Sequence, residues 1–505
     1  MHLLVLLLIF TVLLADSGLG EEDPSAGSWR WMPLAVAVLP PLIAILVELV
    51  LVRRTLHAAS SGSMQAILAA GRRLRYLHWI LFGSSILAML VFGLLELVRS
   101  LTGDLVVLDE LLAVLPCLLL LCVLWLVQWP VERMMRESLV IRRLDHGLPV
   151  HPIPTAWEHL LNQVRGNLLV VLVPAAIVLA AVESARLLLP FVLAADAPSW
   201  ASDLFIGSAA FIALVVSPLG VLVGINAGSM PAGPTREGLE AVLARAGVRV
   251  ADIRLWPTSG SILNGAVIGF MPRFRYVLLT DALVETLPEA ELEAVMAHEV
   301  GHLRHRHLPW TAAALVAQVW LYATLFEWVF HWLHPVLVGL GIELVPLMDS
   351  VHVIATAIVM LAAFIGFGWI SRRFELQADA FAASSLSPEG GIIEPAATGA
   401  MAGALESVAQ VNGLDPDRRT WRHGSIRWRQ GRLHRLIGLP GDRLPIGRVV
   451  HGIKLVVAVI LVVLGAHALF ETPLDAGRPD MDTGARELQP PALSGLPSES
   501  EHEPS

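Results

Sequence analysis

The chain has 505 residues, of which 55% are hydrophobic and only 16% charged, with a mean hydropathy of +0.66. A soluble domain carries about 25% charged residues, so composition excludes a wholly soluble protein and points to an integral membrane protein with room for a soluble part. The net charge of −9 is spread along the chain and gives no reason to expect nucleic acid, while two cysteines, Cys117 and Cys122, both in an apolar run, exclude a disulfide framework.

Taken in chain order, the first apolar run is Leu3 to Leu14, which reads as a cleaved signal peptide ending near Ala15 or as a first anchor. Runs long enough to span a bilayer follow at 33–52, 78–98, 105–128, 167–189, 204–226, 311–331, 351–370 and 454–470. Loop charge sets their orientation. Residues 53–77 carry Arg53, Arg54, Arg72, Arg73 and Arg75 without an acid, and 129–166 are again rich in arginine, so both read as cytoplasmic. Alternation then places 227–309 and 371–453 on the cytoplasmic side, the second with an arginine-rich stretch from Arg418 to Arg448. Carboxylates inside or beside the runs (Glu48, Glu96, Asp109, Glu110, Glu183 and Glu327) are expected to face a wet interior or to pack between helices, with Arg186 as a helical partner for Glu183.

The resulting division is 1–15, signal peptide or anchor; 33–226, five spans with basic loops; 227–310, the first part of a soluble domain; 311–370, a two-span hairpin; 371–453, the second part of that domain; 454–470, the last span; and 471–505, a disordered tail rich in Pro, Ser, Asp and Glu. Within 227–310, residues 233–247 predict an amphipathic helix through Leu239, Val242 and Leu243, and Val248–Leu255 and Val277–Thr280 predict strands. Thr286-Leu287-Pro288-Glu289 predicts a capping box that opens a helix running to a stop before Pro309.

That helix carries His298-Glu299-Val300-Gly301-His302, an H-E-x-x-H motif. Residues four apart share a helix face, so His298 and His302 can bind one zinc ion, with Glu299 beside it to take a proton from a water. The bland alternative is two surface histidines on an ordinary helix. Continued as one helix, the chain runs about 12 Å from His302 to Trp310, which sets the motif close to the bilayer surface. A catalytic zinc needs a third ligand and an open position. If the helix of span 351–370 continues outward, Glu375 and Asp379 share a face, and a two-span hairpin returns them to the side of the motif.

At this point the chain resembles the membrane-embedded zinc metallopeptidase family of HtpX and the CAAX prenyl endopeptidase. There the motif is followed, two spans later, by a pattern close to S-R-x-x-E-x-x-A-D-x-x-A, matched here by Ser371, Arg372, Glu375, Ala378, Asp379 and Ala382. The resemblance covers about 230–440. It implies one zinc per chain held by His298, His302 and Glu375, Glu299 as general base, and Asp379, with Arg372, behind the ligands. It implies a multi-pass α-helical membrane protein with a mainly α (α+β) zincin-like metallopeptidase domain on the cytoplasmic side, acting on protein or peptide substrates at the membrane. Asn264 to Gly269 resembles the family's substrate strand, with Gly265 where alanine is usual. His423 resembles the family's late His-Pro segment, with Gly424 in place of proline. His423, Arg427 or Arg432 would stabilise the oxyanion. His305 and His307 also extend the motif helix; His305, three residues past His302, is a weaker candidate for the site, and such residues are more often solvated. The competing class is a multi-span transporter or signalling protein with a structural zinc. Substrate identity and oligomeric state are not legible in the sequence.

Overall fold

A computed structural model of the chain describes residues 4–5, 7–9, 11–12, 30–60, 64–103, 105–145, 150–194, 197–340, 348–388, 391–442 and 444–471. The acidic segment 15–29 and the expected disordered tail from 472 lie outside the described residues. Of the first apolar run, Leu4, Val5, Leu8 and Val12 are helical and pack into the bundle core beside Phe82, Leu95 and Leu121.

The bundle begins with α1 (Met32–Ser60), α2 (Met64–Leu90), α3 (Leu94–Thr102) and α4 (Leu108–Asp145). The run expected as one span at 78–98 is broken: α2 and α3 are bent by 66°, with Gly93 at the break in a left-handed conformation (φ 63°) that glycine adopts without steric cost. Arg99 on α3 then reaches Asp109 Oδ2 (2.5 Å) and Glu110 Oε1 (3.0 Å) at the start of α4. Glu48 accepts from Arg73 Nε (3.0 Å) and Gln128 Nε2 (2.7 Å), and Glu183 accepts the Val107 N–H (2.8 Å). These acids tie helices to one another, as a buried charge in lipid requires.

Next come α5 (Ala156–Gln163), capped by a Thr155–Glu158 box, a π-helical turn (Val164–Leu169), α6 (Val170–Val192) and α7 (Ser199–Gly224). Gly220 lets α6 and α7 close up, since a Cβ there would lie 2.7 Å from Val173 Cγ1. Among the described residues, six helices are long and apolar enough to cross a membrane, or seven if the bent pair counts as one span.

A small sheet follows: β1 (Gly228–Ser229), β2 (Asp252–Trp256), β3 (Gly265–Ile268) and β4 (Tyr276–Thr280), in the order β1-β2-β4-β3, with only β2 and β4 parallel. The amphipathic helix expected at 233–247 is α8 (Pro234–Arg245), and its Leu239, Val242 and Leu243 are buried. Strand periodicity explains how the sheet docks. Val277 and Leu279 of β4 face the core built from α8 and the motif helix, whereas Tyr276 and Leu278 face Val221 and Leu222 of α7 and Ile225 just after it. The domain is thereby seated on the helical bundle.

The motif helix departs from expectation at both ends. Thr286 is the last residue of a separate short helix, α9 (Asp281–Thr286), whose N-cap is Thr280. The motif helix α10 (Glu289–Arg304) starts after Pro288 with no side-chain cap, and Glu289 and Glu291 in its first turn offset the helix dipole instead. It ends at Arg304 rather than running to Pro309. Arg306 turns the chain in a left-handed conformation (φ 54°), and Pro309 falls in the first turn of α11 (His307–Gly339), where its missing N–H costs nothing. The distance read along one helix from His302 to Trp310 therefore does not apply.

The helix α12 (Met348–Ser385) runs unbroken through the apolar run 351–370 to the Ser371–Ala382 pattern. It lies antiparallel to α11, with Phe374 stacked on His307 and Gly366 against Gln318. The fold is completed by α13 (Pro395–Val411), α14 (Ile426–His434) and α15 (Pro445–Glu471).

Candidate active site

One helical turn separates His298 from His302 on α10, and their Nε2 atoms lie 3.2 Å apart. The helix α12 crosses α10 at Gly301, where a Cβ would sit 3.1 Å from Ala378 Cα. The absent side chain lets two backbones meet, and the crossing delivers Glu375. Its carboxylate oxygens are 3.7 Å from His298 Nε2 and 3.8 Å from His302 Nε2. These three residues form the one group of metal-ligand atoms within 4.8 Å of one another found among the described residues. Zinc bonds of about 2.0–2.2 Å at tetrahedral angles need ligand atoms about 3.4 Å apart, so the donor set and its spacing fit zinc. Replacing Gly301 by Val will force α10 and α12 apart, costing about 1–3 kcal/mol of stability and most of the bound metal. Thermal unfolding and elemental analysis check both.

Behind this cluster, His298 Nδ1 lies 2.9 Å from Asp379 Oδ1. Asp379 is itself clamped by Arg429, whose Nε and Nη2 donate to Oδ2 (2.8 Å) and Oδ1 (2.6 Å) and whose Nη1 is 3.5 Å from Glu375 Oε2. Arg429 was not among the sequence candidates. It is 7% exposed and shares a face of α14 with the buried Leu433, four residues on, and that spacing beside an apolar anchor was its one signal. The expected arginines lie elsewhere: Arg427 pairs with Asp417 on the surface (2.6 Å) and Arg432 lies over the Trp428 ring.

His423 does come to the cluster, with Nδ1 2.9 Å from Glu375 Oε1. It sits on a tight hairpin closed by paired hydrogen bonds between Thr420 and Gly424. Trp421 anchors this hairpin, stacked on Phe364 at 3.8 Å and donating to the Phe364 carbonyl (3.1 Å) in the space left by Gly368. Arg372, expected directly behind the ligands, donates instead to the Trp421 carbonyl (2.7 Å). It therefore steers His423 rather than a metal ligand. Trp421→Ala will release the hairpin and lower kcat/KM by about 10- to 100-fold, the usual cost of an ångström-scale misplacement, with the metal retained. Steady-state kinetics beside a zinc assay check this. His305 does not join the cluster: its ring packs on His307 and Phe381, and its carbonyl accepts from Lys454 (2.6 Å).

The Asn264–Gly269 stretch forms β3, an edge strand bonded to β4 on one side only. Asn264 is held by Thr280, whose Oγ1 accepts from the Asn264 N–H (3.0 Å). Gly269 (φ 90°) ends the strand, where a Cβ would lie 2.0 Å from the Phe274 carbonyl oxygen. Gly265 faces the motif helix: a Cβ there would be 3.4 Å from Glu299 Oε1, so the glycine leaves room beside that carboxylate.

Burial and neighbouring charge act differently on the clustered residues. Burial would depress His298, but its hydrogen bond and charge contact with Asp379 outweigh this and raise it. His302 goes the other way: burial lowers it to about 3, and the charge of Glu375 opposes this only in part. Burial would raise Glu375, yet His423 and Arg429 hold it well below the ordinary carboxylate range. Asp379 is likewise brought to about 2 against its burial, chiefly by Arg429. Glu299 goes the other way, raised chiefly by burial.

Residues 237–417 match the model of Peptidase family M48, a segment that contains α10 and the Glu375–Asp379 pair and stops short of His423 and Arg429. None of the curated proteins matches the chain. Among solved structures, the crystal structure of Ste24p from S. mikatae is similar over 79% of this chain and 98% of that one, at 16% identity and a TM-score of 0.42. With the matched segment spanning both halves of the cluster, and apolar helices on either side of it, the chain is a membrane metallopeptidase that is similar over residues 237–417 to peptidase family M48.

Proposed function

We propose that the protein is a zinc metalloendopeptidase that hydrolyses peptide bonds of membrane-associated or membrane proteins at the cytoplasmic face. The observation that carries this reading is the meeting of His298, His302 and Glu375 with Glu299 beside an unpaired strand edge. In this reading, residues 227–310 and 371–453 form the two parts of one catalytic domain, joined through the hairpin of 311–370. The cytoplasmic orientation rests on the arginine-rich loops.

A zinc ion held by His298, His302 and Glu375 would supply Lewis acidity and one open position. Glu299 takes the proton of the attacking water on its carboxylate and passes it to the leaving amine nitrogen. A raised carboxyl suits both halves of that task, since it holds the proton between them. His423, half exposed beside Glu375, is placed to donate to the oxygen of the carbonyl under attack. The free edge of β3 binds the peptide backbone in extended form, with Gly265 keeping Glu299 unobstructed. The apolar helices around the site keep it at the bilayer, which selects substrates found there. Among the described residues nothing favours a transporter with a structural zinc.

The test is proteolysis by the detergent-purified full chain, on casein and on a co-reconstituted membrane protein. Cleavage that a zinc chelator stops and added zinc restores is the expected result. Cleavage indifferent to the chelator, or none of either substrate, would count against the proposal.

A further inference from the structure

Both metal-site histidines need a partner on the ring nitrogen turned away from the metal, because that partner fixes tautomer and orientation. For His298 the partner is Asp379. His302 has no carboxylate behind it. Its Nδ1 lies 3.0 Å from Nδ1 of His307, and His307 Nε2 lies 2.9 Å from Gln377 Oε1. We infer that His307, backed by Gln377, is the positioning residue that holds His302 as a metal ligand through a neutral imidazole-to-amide relay. The inference rests on the metal reading above and adds to it a second support of different chemistry.

Hydrogen-bond logic fixes the relay. With Nε2 of His302 turned to His298 and Glu375, its proton sits on Nδ1. Two ring nitrogens at 3.0 Å can bond only if one of them carries a proton, so His307 Nδ1 accepts. The single proton of neutral His307 is then on Nε2, where the Gln377 carbonyl oxygen accepts it. Each donor in the chain has one acceptor, and no charge is needed.

The fold invests in this placement. His307 is the first residue of α11, and it lies under His302 only because Arg306 takes a left-handed conformation, which a non-glycine residue rarely adopts. Lys454, the one lysine of the chain, holds the turn by donating to the His305 carbonyl (2.6 Å). The His307 ring is 2% exposed and lies parallel to Phe374 at 4.5 Å, so it has little freedom to rotate away. One helix therefore supplies the third ligand and both supports: Glu375 directly, Asp379 to His298, and Gln377 through His307 to His302. The chemical consequence is a site with one buried anion fewer than two carboxylate–histidine pairs would give. A zinc held there would keep more of its positive charge for the substrate carbonyl.

The test is zinc affinity of the full chain in detergent, by competition with a chromogenic chelator, together with the visible spectrum of the cobalt(II)-loaded protein. His307→Phe keeps the ring stacked on Phe374 and removes the acceptor; it should weaken zinc about 10- to 100-fold and shift the cobalt bands. His307→Gln restores a carbonyl acceptor and should recover much of the loss. Gln377→Leu should weaken zinc, and Gln377→Glu, which still accepts, should not. Equal effects from Gln377→Leu and Gln377→Glu, or wild-type affinity in both His307→Phe and Gln377→Leu, would overturn the relay, and a packing role would produce the former. The Gln377 pair decides the matter even if His307→Phe does not fold. Unchanged zinc binding in His302→Ala would overturn the metal reading itself, and the relay with it.

Discussion

Glu299→Gln will keep its zinc and its fold and lose about a thousandfold in kcat, within the range that a positioned acid–base group contributes. The amide has nearly the shape of the carboxylate but cannot take a proton from water or return one to the leaving nitrogen. Glu299 lies beside Gly265 of the edge strand, outside the set of groups that converge on the metal position, so metal content should not change. A variant that loses zinc as well would show that Glu299 is a ligand, and one that stays active would remove it from the chemistry. Single-turnover kinetics with a paired zinc assay separate these results.

Arg429→Met should produce the largest loss of stability and of metal together. The substitution leaves Asp379 and Glu375, 2% and 4% exposed, without their shared cation. Removing one partner of a buried ion pair costs about 3–5 kcal/mol, because the other charge stays buried and uncompensated. The pH dependence follows from the direction of the shift. Asp379 sits at about 2 in the folded protein, mainly because Arg429 offsets its burial, against about 3.9 when unfolded. A depressed carboxyl contributes stability that is fully present above about pH 4 and is lost as pH falls toward 2. The gap between wild type and Arg429→Met should therefore be widest near neutrality and should narrow on acidification. The double change with Asp379→Asn should recover part of the loss, since the unpaired charge is then gone. Thermal unfolding in detergent across pH measures each term.

How much of this was legible in the sequence depends on how local each feature is. The H-E-x-x-H motif is a single helical turn, and the Ser371–Ala382 pattern is three, so their faces could be read from spacing alone. The expectation that both segments lie on one side came from two apolar runs of span length, which together return a chain to its starting side. Arg429 was missed because its partner Asp379 is fifty residues earlier in the chain, and its one local signal, the apolar Leu433 four residues on, stands among surface arginines. His307 was named beside His305 but read as solvated. Its role depends on a left-handed turn at Arg306, and arginine carries no signal for that conformation. Thr286 offered a valid capping pattern, yet tertiary packing placed a separate short helix in front of Pro288 and left the box unused. Gly93 broke an apolar run that hydropathy alone reads as continuous. Arg372 was expected in the right place with the wrong task, because motif spacing gives position and cannot say that Trp421 folds back to meet it.

The central claim is that α10 and α12 together hold one catalytic metal, and anomalous scattering at the zinc edge from crystals of Glu299→Gln protein tests it most directly. The account predicts one strong peak per chain, bonded to Nε2 of His298, Nε2 of His302 and the carboxylate of Glu375, with one position left open. A peak bonded to other residues, or a fourth protein ligand closing the site, would contradict it.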